Sequence, residues 1–478
     1  MRFAKNKAVK NLALAVTLSI GLSAGAMMPF APANASEMAA KIPVQSYQLK
    51  NGMQIVVIPD HRAPIVTHMV WYKVGSADEP GGRSGLAHFL EHLMFKRTGK
   101  LKDGEFSKIV SENGGQHNAF TSYDMTAYYQ DVAVDRLPLM MSLEADRMTG
   151  LKLKPEDIAS ERQVIIEERR MRTENNPASL LNEQMMASLF LAHPYHIPVI
   201  GWKDEMEALD YKSVIDFYKA HYTPSNAILV VAGDVTGDAV LKLAEKTYGK
   251  VRGPEVGPRV RPGEPTPVAA RRVILVDERV RQPLMQRLYL APSYRVGGTP
   301  GEAEALDVLG EILGGGSTSR LYRRLVVDKK LATEAAAWND ASAYDLGSFG
   351  VYAAPVPGSA ATDRDRLQKV ETEVDSVIRE LLTHGVTADE VARAKSRMIA
   401  AEVYSRDSIT TLARVFGQGL TTGLTIDQIQ SWTDRINAVT PEAVQAAARS
   451  ILQDQRSVTG LLLPPVPVVA NTMAGVKQ

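Results

Sequence analysis

The apolar positions of the chain form two similar series of elements. Each series opens with two β-rich hydrophobic runs and an amphipathic helix, and continues with further helices and a few strands. The opening elements lie at 54–60, 67–74 and 85–95 in the first series and at 272–277, 285–291 and 302–313 in the second. Because strands and helices are grouped rather than strictly alternating, we predict an α+β fold. The repetition indicates two homologous domains in tandem, each an antiparallel-rich sheet packed with helices.

A proline-rich segment separates the two series. Five prolines fall within residues 252–270, interleaved with glycine and charged residues, a composition typical of linkers. We therefore expect an N-terminal domain over residues 40–251, a linker over 252–270 and a C-terminal domain over 271–464. The last residues, 465–478, are rich in proline and valine and then polar, which predicts a flexible tail.

The first 35 residues have the composition of a secretory signal peptide. Basic residues precede an apolar stretch over residues 12–28, and Ala33-Asn34-Ala35 is a small-x-small cleavage signal. This arrangement predicts that residues 1–35 are removed on export. An uncleaved membrane anchor is the alternative, although glycine and alanine dilute the apolar stretch.

The net charge and the cysteine content limit which compartments and which binding partners are expected. The formal net charge is +1, whereas nucleic-acid-binding proteins are usually strongly basic, so no nucleic-acid partner is expected. The chain has no cysteine, so neither disulfides nor thiolate metal ligands are available. No stretch after the predicted signal peptide is long and apolar enough to span a bilayer, and we expect a periplasmic protein.

The predicted helix over 85–95 carries the pattern His-x-x-Glu-His. His88 and His92 are four residues apart, so both imidazoles lie on one helix face and can bind one tetrahedral metal ion. Glu91 lies beside them without needing to be a ligand, which suits a general base acting on a water molecule that the metal activates. The pattern predicts a catalytic zinc site. A buried structural pair of histidines is the alternative, which the intervening carboxylate disfavours.

A third zinc ligand is expected from a second helix that begins at Pro155. Glu161, Val164, Ile165 and Glu168 recur on one stripe of this helix. Carboxylates on a buried stripe are costly unless they have a partner, and a metal ion would be such a partner. The alternative is that both glutamates are solvated surface charges.

These motifs resemble the family of pitrilysin, insulin-degrading enzyme and the mitochondrial processing peptidase. His-x-x-Glu-His is the inverted zincin signature of that family. Glu168 lies 76 positions after His92 and Glu161 lies seven before Glu168, as the family pattern requires. Other stretches similar to the family are 114–121, 193–202, 222–227 and 314–321.

The resemblance covers roughly residues 45–460 and implies specific roles. It implies one zinc ion per chain, held by His88, His92 and Glu168, with Glu91 as the catalytic base. We place Glu161 beside the ligands, where it would orient a histidine or a water molecule and assist catalysis. The two-domain length is similar to the short-chain, processing-peptidase-like branch, in which each chain forms half of a clam-shell chamber.

A substrate-binding strand is also implied by the resemblance. In the family, the segment that contains Asn118, Ala119 and Phe120 is an edge strand that binds the substrate backbone by β-augmentation. An ordinary strand inside a sheet is the alternative. The family pattern and strand alternation argue against His117 as a metal ligand.

The second series lacks the zinc motif and a further family feature. Family members carry an Arg, and a Tyr seven residues later, after a Ser-Arg-Leu segment, and this pair stabilises the oxyanion. In this chain the aligned positions are Val326 and Thr333. We therefore predict a heterodimer with a homologous subunit that supplies the Arg/Tyr pair. The alternative is that this chain tolerates the loss and uses zinc alone as the electrophile.

The predicted function is that of a zinc metalloendopeptidase that hydrolyses extended or unfolded peptides. The alternative is a non-catalytic scaffold or peptide-binding subunit of the same fold. Loss of metal ligands would mark that state, whereas all three ligands and the base are present here.

Overall fold

The computed structural model describes residues 41–358 and 362–465. The predicted signal peptide, and the predicted tail except for residue 465, lie outside the described residues. The strands are β1 (Gln45–Gln48), β2 (Gln54–Pro59), β3 (Ile65–Tyr72), β4 (Gln116–Thr121), β5 (Thr126–Ala133), β6 (Ala227–Gly233), β7 (Arg271–Val276), β8 (Leu284–Ala291), β9 (Ala332–Asp340), β10 (Gly347–Pro355) and β11 (Ser457–Leu463).

The helices of the first half are α1 (Leu86–Leu93), α2 (Glu105–Glu112), α3 (Leu137–Gly150), α4 (Pro155–Arg169), α5 (Pro177–Leu189), α6 (Lys203–Ala208), α7 (Tyr211–His221) and α8 (Gly237–Lys246). Those of the second half are α9 (Glu302–Gly314), α10 (Asp363–His384), α11 (Ala388–Ser405), α12 (Ile409–Thr421), α13 (Ile426–Gln430), α14 (Trp432–Ala438) and α15 (Pro441–Ile451). Two π-helical turns occur at Arg170–Glu174 and Tyr322–Asp328.

The two sheets have the same strand order, which confirms the predicted α+β fold with two homologous units. The first sheet is ordered β1-β2-β6-β3-β5-β4 and the second β7-β11-β8-β10-β9. Without β1, each strand of the first sheet corresponds to one of the second. The single parallel pair lies at the same place, between β2 and β6 and between β7 and β11, and the other pairs are antiparallel.

Each half contributes one helix to the sheet of the other half. From the second half, α12 packs on the first sheet, where Leu412 and Phe416 join Trp71 in one buried cluster. From the first half, α5 packs on the second sheet, where Leu181 and Met185 join residues of β8 and β11. Burial of these apolar side chains stabilises the contact between the halves, each large side chain contributing roughly 1.5–3 kcal/mol.

The segment 252–270 has neither helix nor strand, but it is anchored between the halves through Arg261. The Arg261 guanidinium is buried and donates to Asp78 at 2.8 Å, to Asp124 at 2.6 Å and to Asp345 at 3.0 Å. Asp78 and Asp124 belong to the first half and Asp345 to the β9–β10 turn of the second. Because a buried cation is stable only with such partners, this contact holds the segment in one position.

The helices that carry the candidate ligands follow the sequence prediction closely. The helix predicted over 85–95 is α1, and α4 begins at Pro155, where proline lacks only an N–H that the first turn leaves unpaired. The proposed buried stripe of α4 is wrong at Val164, which is 50% exposed. The buried face of α4 instead contains Ile158, Glu161 and Ile165. Among the described residues, none of the helices is both long and apolar enough to cross a bilayer.

Candidate metal centre

Helix α1 presents His88 and His92 on one face while its apolar residues anchor it. Leu86, Phe89 and Leu90 are buried in the core of the first half. The two imidazole rings have centroids 4.9 Å apart, the separation that an i, i+4 pair imposes. Anchoring by the neighbouring apolar residues fixes the direction in which both rings point.

Helix α4 packs against α1 and brings Glu168 to the two histidines. Glu168 Oε2 lies 3.7 Å from His88 Nε2 and 3.2 Å from His92 Nε2. One potential ligand atom from each of the three residues lies within 4.8 Å of the others. The structure therefore brings together the three residues that the sequence singled out, although His92 and Glu168 are 76 positions apart.

The donor set and its spacing fit a zinc ion. Ligand atoms at the usual zinc distances in a tetrahedron lie roughly 3.3–3.6 Å apart, close to the two separations from Glu168. Two imidazoles and one carboxylate are a donor set of catalytic zinc sites. His88 is 8% exposed, and its Nε2 faces Glu168 Oε2 at 3.7 Å without a hydrogen bond, a separation that a metal ion bound to both atoms would account for.

Glu161 lies two helical turns before Glu168 and contacts the far side of His92. Its Oε1 is 3.0 Å from His92 Nδ1, and its Oε2 accepts from Lys96 at 2.9 Å. Hydrogen bonding to His92 and contact with Lys96 lower the pKa of Glu161 to about 2, despite its burial. A carboxylate on the outer nitrogen of a ligating histidine fixes the ring orientation and increases the basicity of the inner nitrogen.

The electrostatics of the site favour a positive charge between the carboxylates. Burial lowers the pKa of His92, but hydrogen bonds with Glu161 and Glu168 outweigh burial and raise it to about 9. Burial and the neighbouring His92 lower the pKa of His88 to about 4, so His88 is neutral at pH 7. Since a metal ligand must be deprotonated, a metal ion would take the place of the second proton on His92.

Glu91 occupies the fourth position of the motif and points towards β4 rather than joining the three potential ligands. Its Oε2 accepts a hydrogen bond of 2.5 Å from Thr121 Oγ1, at the end of β4. Burial raises the pKa of Glu91, partly offset by the Thr121 hydrogen bond. A raised pKa makes a carboxylate a better proton acceptor near neutral pH.

Strand β4 lies at the edge of the first sheet and contains Asn118, Ala119 and Phe120. It pairs with β5 on one side, and no strand of the described residues pairs with its other side. Such an edge exposes backbone groups that can bind an extended chain. His117 on this strand stacks against Phe95 and is not part of the three-residue cluster.

Sequence reasoning missed several contacts of the candidate ligands. Arg172 forms an ion pair with Glu168 Oε1 at 2.7 Å, an i, i+4 pair that the spacing could have indicated. The contacts of Glu91 with Thr121 and of Glu161 with Lys96 join separate elements, so no local pattern predicts them.

In the second half, α9 occupies the place of α1 but carries different side chains. The positions that match His88 and His92 are Asp307 and Glu311. Glu311 Oε1 accepts from Arg397 Nε at 2.6 Å, so an ion pair lies where the first half has its candidate ligands. Of the positions aligned with the family's Arg/Tyr pair, Val326 packs against the core, whereas Thr333 is exposed on β9.

Comparison with known proteins agrees with the resemblance noted from the motifs. Residues 54–202 match the model described as Insulinase (Peptidase family M16), and residues 208–398 match that described as Peptidase M16 inactive domain. The zinc protease PqqE of Helicobacter pylori is 33% identical, and the match covers 82% of this chain and 85% of that protein.

Several solved structures share the fold, and two of them illustrate the likeness. The crystal structure of a protease from Helicobacter pylori superposes with a TM-score of 0.81 at 30% identity, covering 89% of this chain and 100% of that one. The first half of the periplasmic protease PqqL from Escherichia coli superposes with a TM-score of 0.74 at 20% identity, covering 89% and 93%, a likeness of fold alone. The names of the relatives support a peptidase, and the chain belongs to peptidase family M16.

Proposed function

We propose that the chain is a zinc-dependent endopeptidase with His88, His92 and Glu168 as the metal ligands and Glu91 as the general base. The observation that carries the proposal is the meeting of three ligand atoms within 4.8 Å beside a partly buried carboxylate that is not needed as a ligand. Zinc bound there would lower the pKa of a water molecule and polarise the scissile carbonyl.

The side chains around the three ligands have separable roles in this proposal. Glu91 would accept the proton of the attacking water and later deliver it to the leaving amine, with Thr121 fixing the direction of its carboxylate. Glu161 would hold His92 in the orientation and tautomer that leave Nε2 free for the metal.

The edge strand β4 would hold the substrate in an extended conformation. Its unpaired edge can donate and accept main-chain hydrogen bonds along residues 118–120, which binds a peptide with little demand on its sequence. Because Thr121 at the end of this strand contacts Glu91, a peptide paired with β4 would run past the base. We therefore infer that extended or unfolded peptides are the substrates.

The ligand assignment predicts an order of zinc affinities. Glu168→Gln removes a direct charged ligand and should abolish measurable zinc binding, whereas Glu161→Gln should weaken binding by about 10–100-fold because it removes the partner of His92. Chelator competition on the purified variants measures both affinities. The reverse order of the two effects would exchange the roles of Glu161 and Glu168.

If Glu91 is the base, its replacement should abolish turnover without preventing metal binding. Glu91→Gln should retain one zinc ion per chain and lose nearly all turnover, because the amide cannot accept a proton. Metal analysis and hydrolysis of a denatured polypeptide test the two parts. Near-normal turnover by this variant would show that another group is the base.

We further propose that a homologous partner subunit completes the catalytic site. Val326 and Thr333 cannot stabilise an oxyanion as an Arg and a Tyr would, and loss of such a donor costs about 3–4 kcal/mol in the barrier. Nearby Arg324 pairs with Glu373 and Glu380 and is committed to those contacts.

The partner proposal predicts weak activity for the isolated chain. Adding a related subunit that has the Arg/Tyr pair but no His-x-x-Glu-His motif should increase turnover by about 10²–10³-fold, the effect of one oxyanion-stabilising contact. Titration of that subunit against a fixed concentration of this chain, with a peptide substrate, measures the gain. Full turnover by the chain alone, unchanged by the partner, would refute the heterodimer.

A non-catalytic scaffold is the second candidate function. The match of residues 208–398 to a domain described as inactive favours such a role for the second half, where Glu311 and Arg397 form an ion pair. Against the scaffold, the first half carries the three proposed ligands and the proposed base. Zinc binding without hydrolysis, both alone and with the partner, would favour the scaffold.

Export to the periplasm is proposed from residues 1–35. The basic start, the apolar stretch and the Ala33-Asn34-Ala35 signal predict a mature chain that begins at Ser36. N-terminal sequencing of the protein recovered from the periplasm should find Ser36 first. An intact Met1 would contradict cleavage.

A further inference from the structure

Arg169, the residue after Glu168, is buried at a junction of three chain segments. Its guanidinium donates to both carboxylate oxygens of Glu183 on α5, at 2.8 and 2.9 Å. It also donates to the carbonyl oxygen of Gly201 at 2.9 Å. Since both charged side chains are buried, neither can exchange its partner for water without a large cost, so the geometry is rigid.

The Gly201 contact continues to the start of α1, the helix of the two histidines. A Cβ atom on Gly201 would lie 2.6 Å from the backbone nitrogen of Gly85, the residue that precedes α1. The next residue, Trp202, donates its backbone N–H to Ser84 Oγ at 2.8 Å. The turn held by Arg169 therefore packs directly on the segment that starts α1.

Through Glu183, Arg169 also contacts the helix that packs on the second half. Glu183 lies on α5, whose apolar face packs on β7, β8 and β11. Met185 is fully buried there, and a Cβ atom on Gly460 of β11 would lie 2.1 Å from its sulfur. In addition, Arg279 of the second half donates to the backbone carbonyl of Glu174, in the π-helical turn between α4 and α5.

We propose that the Arg169–Glu183 pair is a positioning device through which the second half sets the place of Glu168 relative to His88 and His92. This inference rests on the proposed metal site. The second half, in whose described residues no such cluster occurs, thereby contributes to the metal geometry without supplying a ligand. A displacement of α5 on the second sheet would move Arg169, and with it the last turn of α4 that carries Glu168.

The experiment compares this pair with a matched pair elsewhere in the chain. In the second half, Arg320 forms the same arrangement: it donates to both oxygens of Glu390, at 2.7 and 2.8 Å, and to the carbonyl of Gly385 at 2.8 Å. Glu183→Gln and Glu390→Gln therefore make the same chemical change in the same hydrogen-bonding arrangement, although the Arg320–Glu390 side chains are more exposed, at 24% and 21% against 7% and 7%. Of the two glutamates, only Glu183 pairs with a residue that adjoins a candidate ligand, because Arg169 follows Glu168 directly.

Zinc affinity and the absorption spectrum of bound Co²⁺ report on the ligands without requiring catalysis. We expect Glu183→Gln to weaken zinc binding by about 10-fold, at the lower end of the effect of losing a direct partner of a metal ligand because Glu183 acts through Arg169, and to change the visible Co²⁺ spectrum. Arg169→Lys, which keeps the charge but loses the bidentate contact, should fall between this variant and the wild type. Glu390→Gln should bind zinc within about twofold of the wild type.

A second pair of variants tests the link to the second half. Gly460→Ala should push on Met185 and α5, and should weaken zinc binding by about threefold, less than the direct loss of Glu183. Gly417→Ala disturbs α12, the helix of the second half that packs on the first sheet, since a Cβ there would lie 2.0 Å from the Trp71 ring. This variant should leave zinc affinity unchanged. Thermal melting of every variant separates loss of folding from loss of affinity.

The possible failures are distinguishable. If Glu183→Gln and Glu390→Gln lower the melting temperature alike while both bind zinc as the wild type does, the pair is only structural and the inference is wrong. If Gly460→Ala binds zinc as Gly417→Ala does, the link to the second half is wrong. If the wild type binds no zinc, or Glu168→Gln does not weaken binding, the proposed metal site itself fails.

Discussion

The structure around the candidate centre depends on one constraint, which is that buried carboxylates need a cation between them. Glu161 and Glu168 lie on one helix at the buried contact with α1, where desolvation would otherwise penalise both charges. His92 lies between them, and its pKa rises to about 9 in response. A divalent ion held by His88, His92 and Glu168 would compensate these negative charges more fully than a protonated His92 does. Glu161 would then remain the hydrogen-bond partner of His92.

The two halves show how one fold can carry different charges at the same place. Both have the same strand order, yet the helix that carries His88 and His92 in the first half carries Asp307 and Glu311 in the second. In the second half, Glu311 is partly exposed and pairs with an arginine, Arg397, at 2.6 Å. The two halves also pack against each other, because α5 and α12 each bury their apolar side chains on the sheet of the opposite half.

Local patterns predicted the parts of the site that local geometry determines. The i, i+4 spacing of His88 and His92 was enough to place both rings on one face, and Pro155 marked the start of α4. The stripe on α4 was wrong at Val164, because a periodic pattern does not say which side the rest of the protein covers. Contacts such as Thr121 with Glu91, or Arg169 with Glu183, join segments whose approach depends on the whole fold. Composition likewise identified the proline-rich segment 252–270 but could not show that Arg261 is buried between the halves.

The most direct test of the account is a crystal structure of the purified chain with data collected on both sides of the zinc absorption edge. We expect one anomalous peak per chain, with His88 Nε2, His92 Nε2 and a Glu168 oxygen at about 2.0–2.2 Å and Glu91 outside the bonding distance. A peak at other residues, or zinc-loaded crystals with no peak between α1 and α4, would contradict the assignment of the metal centre.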